Sequence, residues 1–140
     1  MKRHLHVASA PSKPTMVFDG DCDFCTRWIR RWQKTTGDCV EYVAFPDDRI
    51  AKEFPELPRE RCENAVQLIE SDGTVFDGAE AVLRALAHNP SKRWPLRWYQ
   101  KSRAFAGVAE RSYRFVAEHR RLFSRLAPRH TDRIRPIGKQ

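Results

Sequence analysis

The first half of the chain alternates between short apolar runs and a segment with a helical period. Residues 16–18 form an apolar run that ends at the polar sequence 19–21, which predicts a buried strand followed by a tight turn. Beyond this turn, apolar side chains recur every three to four residues, which predicts an amphipathic helix that ends near Gly37. The predicted inward face of this helix consists of Cys25, Trp28, Ile29 and Trp32. Residues 40–45 predict a second strand, so strand, helix and strand should form a βαβ unit with parallel strands.

The next segment predicts a short helix, a hairpin and a further helix. Residues 46–54 open with a proline and two aspartates, which favours a short capped helix. Residues 65–70 and 74–77 flank the Ser-Asp-Gly turn at 71–73 and predict an antiparallel hairpin, and residues 80–87 predict a helix after it. The predicted order β-α-β-(α)-β-β-α gives an α/β fold with one mixed four-stranded sheet and flanking helices, which is a thioredoxin-like arrangement.

The C-terminal region predicts helices added to this sheet. Residues 105–126 read as one or two helices. Their candidate inward positions are Phe105, Val108, Ala109, Phe115 and Val116. We therefore expect a flexible N-terminal arm over residues 1–14, a single domain with its added helical region over residues 15–126, and a basic tail over residues 127–140.

Two cysteines stand where the first predicted strand gives way to the first helix. Cys22 and Cys25 form a Cys-x-x-Cys sequence there. Unpaired backbone N–H groups and the positive end of the helix dipole stabilise a thiolate at such a position. The second cysteine, about one turn further on, is close enough to attack a mixed disulfide. This predicts thiol–disulfide exchange, with Cys22 as the attacking thiolate and Cys25 as the resolving thiol.

Carboxylates flank the cysteine pair. Asp19 and Asp21 are candidates for a proton acceptor or relay that serves a thiol. A structural role is open beside this one, because Asp21 or Asp23 can cap the helix.

The remaining cysteines do not predict a metal site. Cys39 and Cys62 lack partners at metal-ligand spacing, and the five histidines are scattered along the chain. We expect both cysteines to be small buried apolar residues, and we predict no metal ligand. A small zinc-binding protein remains a third, weaker hypothesis. The chain also has no dinucleotide-binding fingerprint, so no cofactor is predicted.

The net charge of +8 conceals an asymmetry. Residues 1–91 carry 12 Lys and Arg against 15 Asp and Glu, whereas residues 92–140 carry 14 against 3. The aromatic side chains of this basic region are expected to complete the core, but they also allow a weak contact with an anionic membrane surface or an acidic partner. The second interpretation underlies an alternative hypothesis, a non-catalytic binding module. Charge without a recognised reading module does not predict specific nucleic-acid binding.

The N-terminus resembles an export signal only in its basic residues. Its apolar stretch is short and is interrupted by His6, so we expect no export and a cytoplasmic location. In a reducing compartment, redox-active or buried cysteines are more common than structural disulfides.

The cysteine motif carries a family resemblance. The sequence Val17-Phe18-Asp19-Gly20-Asp21-Cys22-Asp23-Phe24-Cys25 resembles the signature of the DCC family of predicted thiol–disulfide oxidoreductases, in which a strand ends in Tyr-Asp-Gly-Asp-Cys-x-x-Cys. The resemblance extends over most of residues 16–126. It implies a thioredoxin-like fold, a redox-active cysteine pair and roles for Asp19, Gly20 and Asp21, with Asp23 and Phe24 supporting the motif.

The chain departs from the family pattern at three points. Phe18 replaces the usual Tyr, and Asp23 stands where Pro is common. Glu63-Asn64-Ala65 occupies the position at which thioredoxins carry a proline before the third strand.

The expected substrate is a disulfide-containing protein or a small thiol compound, and the expected electron donor is an external thiol.

Overall fold

The computed structural model describes residues 4–20, 23–45 and 47–119. The strands and helices follow in the order β1 (Leu5–His6), β2 (Thr15–Asp19), α1 (Asp23–Thr36), a 3₁₀ turn (Gly37–Cys39), β3 (Glu41–Phe45), α2 (Asp48–Glu53), α3 (Arg59–Asn64), β4 (Gln67–Ile69), β5 (Thr74–Asp77), α4 (Gly78–Leu86), a second 3₁₀ turn (Pro90–Lys92), α5 (Trp94–Lys101) and α6 (Arg103–Glu118).

The strands form one mixed sheet in the order β1-β5-β4-β2-β3. The strands β2 and β3 are parallel, with Met16 opposite Tyr42, which confirms the predicted βαβ unit. The strand β4 pairs antiparallel with β2 and with β5, which confirms the hairpin. The result is a mixed α/β architecture consistent with a thioredoxin-like fold.

The sheet has five strands instead of the predicted four. The additional strand, β1, pairs antiparallel with β5 and lies in the segment predicted to be a flexible arm. The N–H of Val7 donates to the Gly73 carbonyl at 2.9 Å, and the Val7 side chain is buried. A two-residue strand is too short to show an alternating pattern, so the sequence did not reveal it.

Each face of the sheet has its own core because successive side chains of a strand point to opposite faces. Met16 and Phe18 of β2 pack with Ile29 of α1 and with α4. Val17 lies in the other cluster, which α2 and α3 cover. This arrangement gives a sheet enclosed between two helical layers, with the C-terminal helices on the α1 and α4 side.

Local signals fix the ends of the helices. Gly37 adopts a left-handed conformation (φ 55°) directly after α1, as expected for a C-terminal stop. The Asp47 side chain accepts a hydrogen bond from the Arg49 N–H at 2.9 Å and caps α2. No helix among the described residues is both long and apolar enough to cross a membrane.

The prediction for the C-terminal helices was partly wrong. Phe105, Ala109 and Val116 face the protein as expected. Val108 and Phe115 are instead 64% and 57% exposed, because they lie about 100° around α6 from Ala109 and Val116, which face the groove. The rest of the segment predicted to be helical up to residue 126, and the predicted basic tail, lie outside the described residues.

Candidate functional site

A glycine at the end of β2 brings the predicted site close to β3. A Cβ atom on Gly20 would lie 2.9 Å from the Ala44 Cβ and 3.3 Å from the Phe45 carbonyl oxygen. That oxygen accepts a hydrogen bond from the Gly20 N–H at 2.9 Å. Glycine is required at this position because any side chain would collide with the neighbouring strand.

One carboxylate from β2 and one thiol from α1 line the same groove. Asp19 is the last residue of β2, and Cys25 is the third residue of α1. Both are partly exposed and line one surface groove. Cys25 therefore lies in the first turn of the helix, where backbone N–H groups have no partner within the helix. Cys22 and Asp21, predicted as nucleophile and second candidate base, lie outside the described residues, as does the side chain of Asp23.

The groove has a volume of about 430 Å³ and an apolar lining; we call it the apolar groove. It runs between α1, α4 and α6. Its larger lining side chains are Phe24, Trp28 and Trp32 of α1, Val82, Leu83 and Leu86 of α4, and Phe105, Tyr113 and Val116 of α6. A concave apolar surface with a few polar groups at one end is the usual form of a ligand or substrate site.

Aromatic rings form the α1 wall of the groove. The Phe24 and Trp28 rings lie 6.3 Å apart with edge-to-face geometry, and the Trp28 and Trp32 rings are also 6.3 Å apart. The Arg31 guanidinium lies 5.3 Å from the centre of the Trp28 ring. Trp28 nevertheless remains 40% exposed, so it presents apolar surface beside Cys25.

One hydrogen bond within the lining of the groove joins α6 to the residue that precedes β4. The N–H of Val66 donates to the Tyr113 hydroxyl at 3.0 Å. The sequence analysis did not identify this contact, because the two residues are 47 positions apart in the sequence. The Ser102 hydroxyl accepts a hydrogen bond from the Phe105 N–H at 3.2 Å and caps the start of α6.

A second cavity of about 430 Å³ adjoins the groove, with which it shares Ala65, Tyr113 and Ala117. Its remaining lining is mostly polar and includes Asp77 and Glu110 but no cysteine. The apolar groove is therefore the candidate for thiol chemistry, since it contains Cys25.

The other cysteines differ in exposure. Cys62 is 1% exposed, and burial raises the pKa of its thiol to about 11. It is therefore a neutral, unreactive thiol at neutral pH, as the prediction of a buried residue implies. The same prediction was wrong for Cys39, which is exposed because it lies in the 3₁₀ turn between α1 and β3. Within the described ranges, no three His, Cys, Asp or Glu side chains come together as a metal site would require.

Comparisons with known proteins give one result. No curated protein and no solved structure matches the chain. Residues 16–126 match the family described as DCC1-like thiol-disulfide oxidoreductase. This range includes both helical layers and nearly all of the sheet apart from β1. The match covers most of the chain and includes the strand, turn and helix that carry the cysteine motif. The chain therefore belongs to the DCC1-like thiol-disulfide oxidoreductase family.

Proposed function

We propose that this protein catalyses thiol–disulfide exchange with Cys22 as the attacking thiolate and Cys25 as the resolving thiol. The observation that carries the proposal is the position of Cys25, which lies in the first turn of α1 and on the wall of the apolar groove. Membership of the family supports the same chemistry.

The proposed reaction has two steps that conserve electrons. The Cys22 thiolate attacks one sulfur of a substrate disulfide, the substrate S–S bond breaks, and the first substrate thiolate leaves. The Cys25 thiolate then attacks the Cys22 sulfur of the mixed disulfide and releases the second substrate thiol. The substrate gains two electrons, and the enzyme is left with a Cys22–Cys25 disulfide. An external dithiol or two monothiols reduce this disulfide and complete the cycle.

Asp19 is the proposed proton acceptor for the second step. Cys25 must lose its proton before it can attack, and Asp19 lines the same groove at the end of β2. A carboxylate near a thiol can accept this proton or relay it to solvent. Asp21 remains a second candidate for the same role.

The apolar groove gives the proposed substrate a chemical character. Its lining favours apolar side chains next to the disulfide, so a protein disulfide with apolar neighbours should react better than a small charged one.

The proposal is tested in a Cys39→Ser background, because Cys39 is exposed and would itself react with disulfides. We expect the Cys39→Ser protein to reduce insulin disulfides with dithiothreitol as electron donor. Adding Cys22→Ser should abolish turnover. Adding Cys25→Ser should abolish turnover. When dithiothreitol is left out, so that no other thiol cleaves it, this variant should keep a stable mixed disulfide on Cys22, visible as a mass increase. Turnover in the Cys22→Ser protein would refute the assignment of the nucleophile.

The reduction potential gives an independent measurement. Equilibration in glutathione or dithiothreitol buffers should reveal a reversible two-electron couple between about −270 and −120 mV, the range of known exchange proteins. If no reversible disulfide forms, the exchange proposal fails.

A further inference from the structure

The outer side of the C-terminal helices exposes large apolar side chains. Trp94 and Trp98 of α5 are 58% and 59% exposed, and they lie four residues apart on one side of that helix. Val108 and Phe115 of α6 lie two turns apart, and both are more than half exposed. We call these four residues the outer apolar face. Trp94 and Trp98, neighbours on one side of α5, provide an exposed apolar patch of the kind that marks an interaction site.

The same helices carry an excess of exposed positive charge. Residues 92–119 include seven Lys and Arg, every one of them exposed, against two Glu. Glu110 is turned toward the protein, because its Oε1 accepts hydrogen bonds from the Tyr99 hydroxyl at 2.8 Å and from the Glu80 N–H at 3.2 Å. The positive charge around the outer apolar face is therefore opposed mainly by Glu118.

We propose that α5 and α6 rest on an anionic membrane surface through the outer apolar face. Tryptophan is well suited to this role, because its ring is apolar and its N–H remains in the headgroup region. Exposed lysines and arginines near the surface attract anionic headgroups. The combination of bulky apolar side chains and basic residues on short helices is typical of a helix that lies in the interface without spanning the bilayer.

The charge around the face favours an anionic lipid surface, because every Lys and Arg of residues 92–119 is exposed. None of its four side chains lines the apolar groove, and they project from two helices. A lipid surface needs only exposed apolar groups and charge complementarity, and α5 and α6 provide both. This proposal does not depend on the redox activity.

The experiment measures cosedimentation of the full chain with vesicles of phosphatidylcholine alone and of phosphatidylcholine mixed with phosphatidylserine. We expect binding to the anionic vesicles, weak binding to the neutral ones, and a blue shift of tryptophan fluorescence on binding. Raising the salt concentration should weaken binding, because it screens the attraction. Equal affinity for the two vesicle types, or no binding at low salt, would overturn the proposal.

Two double variants separate the outer apolar face from overall charge. Arg97→Glu with Lys101→Glu should weaken binding to anionic vesicles by at least about 30-fold. Lys13→Glu with Lys52→Glu changes the net charge equally but away from α5 and α6, so its affinity should stay within about threefold of the parent. An equal loss in both would overturn the proposal, because binding would then follow net charge alone.

A third variant tests the apolar contribution. Trp94→Ala with Trp98→Ala should abolish the fluorescence shift and weaken binding about tenfold or more. Circular dichroism checks that the helices remain folded. Binding of the parent protein to polyglutamate or RNA but not to anionic vesicles would also overturn the proposal.

Discussion

Replacing Tyr113 by phenylalanine removes a single oxygen atom from the contact that fastens α6 to the sheet. That oxygen accepts the hydrogen bond from the Val66 N–H at 3.0 Å. Val66 is 7% exposed and immediately precedes β4, but the hydrogen bond is only partly buried and both residues line the apolar groove, so water can reach the N–H once the hydroxyl is gone. The substitution keeps the aromatic ring in place and removes only the hydroxyl.

The expected cost is that of losing one partly buried hydrogen bond whose donor water can partly rehydrate. A neutral hydrogen bond contributes about 0.5–1.5 kcal/mol net, but an unsatisfied buried N–H costs about 1–3 kcal/mol. Because this donor is partly buried, we expect Tyr113→Phe to lower the free energy of unfolding by about 0.5–2 kcal/mol. This is a large fraction of the roughly 5–15 kcal/mol that holds a typical domain together.

Urea unfolding followed by tryptophan fluorescence measures the effect. Ser112→Ala is the matched control, since it also removes one oxygen from α6 but at an exposed position; it should change stability by less than about 0.5 kcal/mol. Hydrogen exchange at the Val66 amide should accelerate in Tyr113→Phe and not in Ser112→Ala. If Tyr113→Phe is as stable as the parent and the Val66 amide stays protected, the hydrogen bond does not fasten α6.

Three further predictions concern the candidate site. If Asp19 accepts the Cys25 proton, Asp19→Asn should lengthen the lifetime of the mixed disulfide by about 10–100-fold, as followed by quenched mass spectrometry. The control Asp38→Asn, on the exposed 3₁₀ turn, should leave this lifetime unchanged. Trp28→Ala removes an apolar side chain that lines the groove and is 40% exposed, so kcat/KM for insulin should fall by about 5–30-fold. The kcat/KM of the same variant for glutathione disulfide should stay near the parent value. Trp94→Ala, which lies outside the groove, should keep the parent kcat/KM for both substrates. The raised pKa of Cys62, about 11 against 9.0 ordinarily, stabilises the folded state below pH 9, and this contribution is lost as the pH rises through about 11. The free energy of unfolding of the parent should therefore fall between pH 8 and pH 11 by up to about 2–3 kcal/mol more than that of Cys62→Ala, as measured by urea denaturation at each pH. An equal fall in the two proteins would contradict a buried neutral thiol at Cys62.

Much of the central architecture could be predicted because its signals are local. The apolar run of β2, the helical period of α1 and the left-handed Gly37 each depend on residues within a few positions of one another. The hairpin of β4 and β5 could likewise be predicted from its Ser-Asp-Gly turn. Local signals of this kind also located Cys25 at the start of a helix.

The parts that the sequence did not reveal depend on distant contacts. The lining of the groove includes the contact between Tyr113 and Val66, which no periodicity encodes. Phe115 was assigned to the core because it is apolar, although Val116 faces the groove and the two neighbours point in directions about 100° apart. Cys39 is exposed for a different reason, since the exposure of a turn residue depends on how α1 packs.

The helix α6 connects the two proposals, because its two sides do different things. Ala109 and Val116 line the apolar groove, whereas Val108 and Phe115 lie on the outer apolar face. If the outer face rests on a membrane, α6 holds the groove, and Cys25 with it, at a fixed orientation to that surface. A disulfide in a membrane-associated protein would then meet the groove at high local concentration.

Adding anionic vesicles should accordingly speed exchange with a vesicle-tethered disulfide peptide and not with the same peptide free in solution. The Arg97→Glu and Lys101→Glu variant should lose that acceleration yet keep its rate with the free peptide.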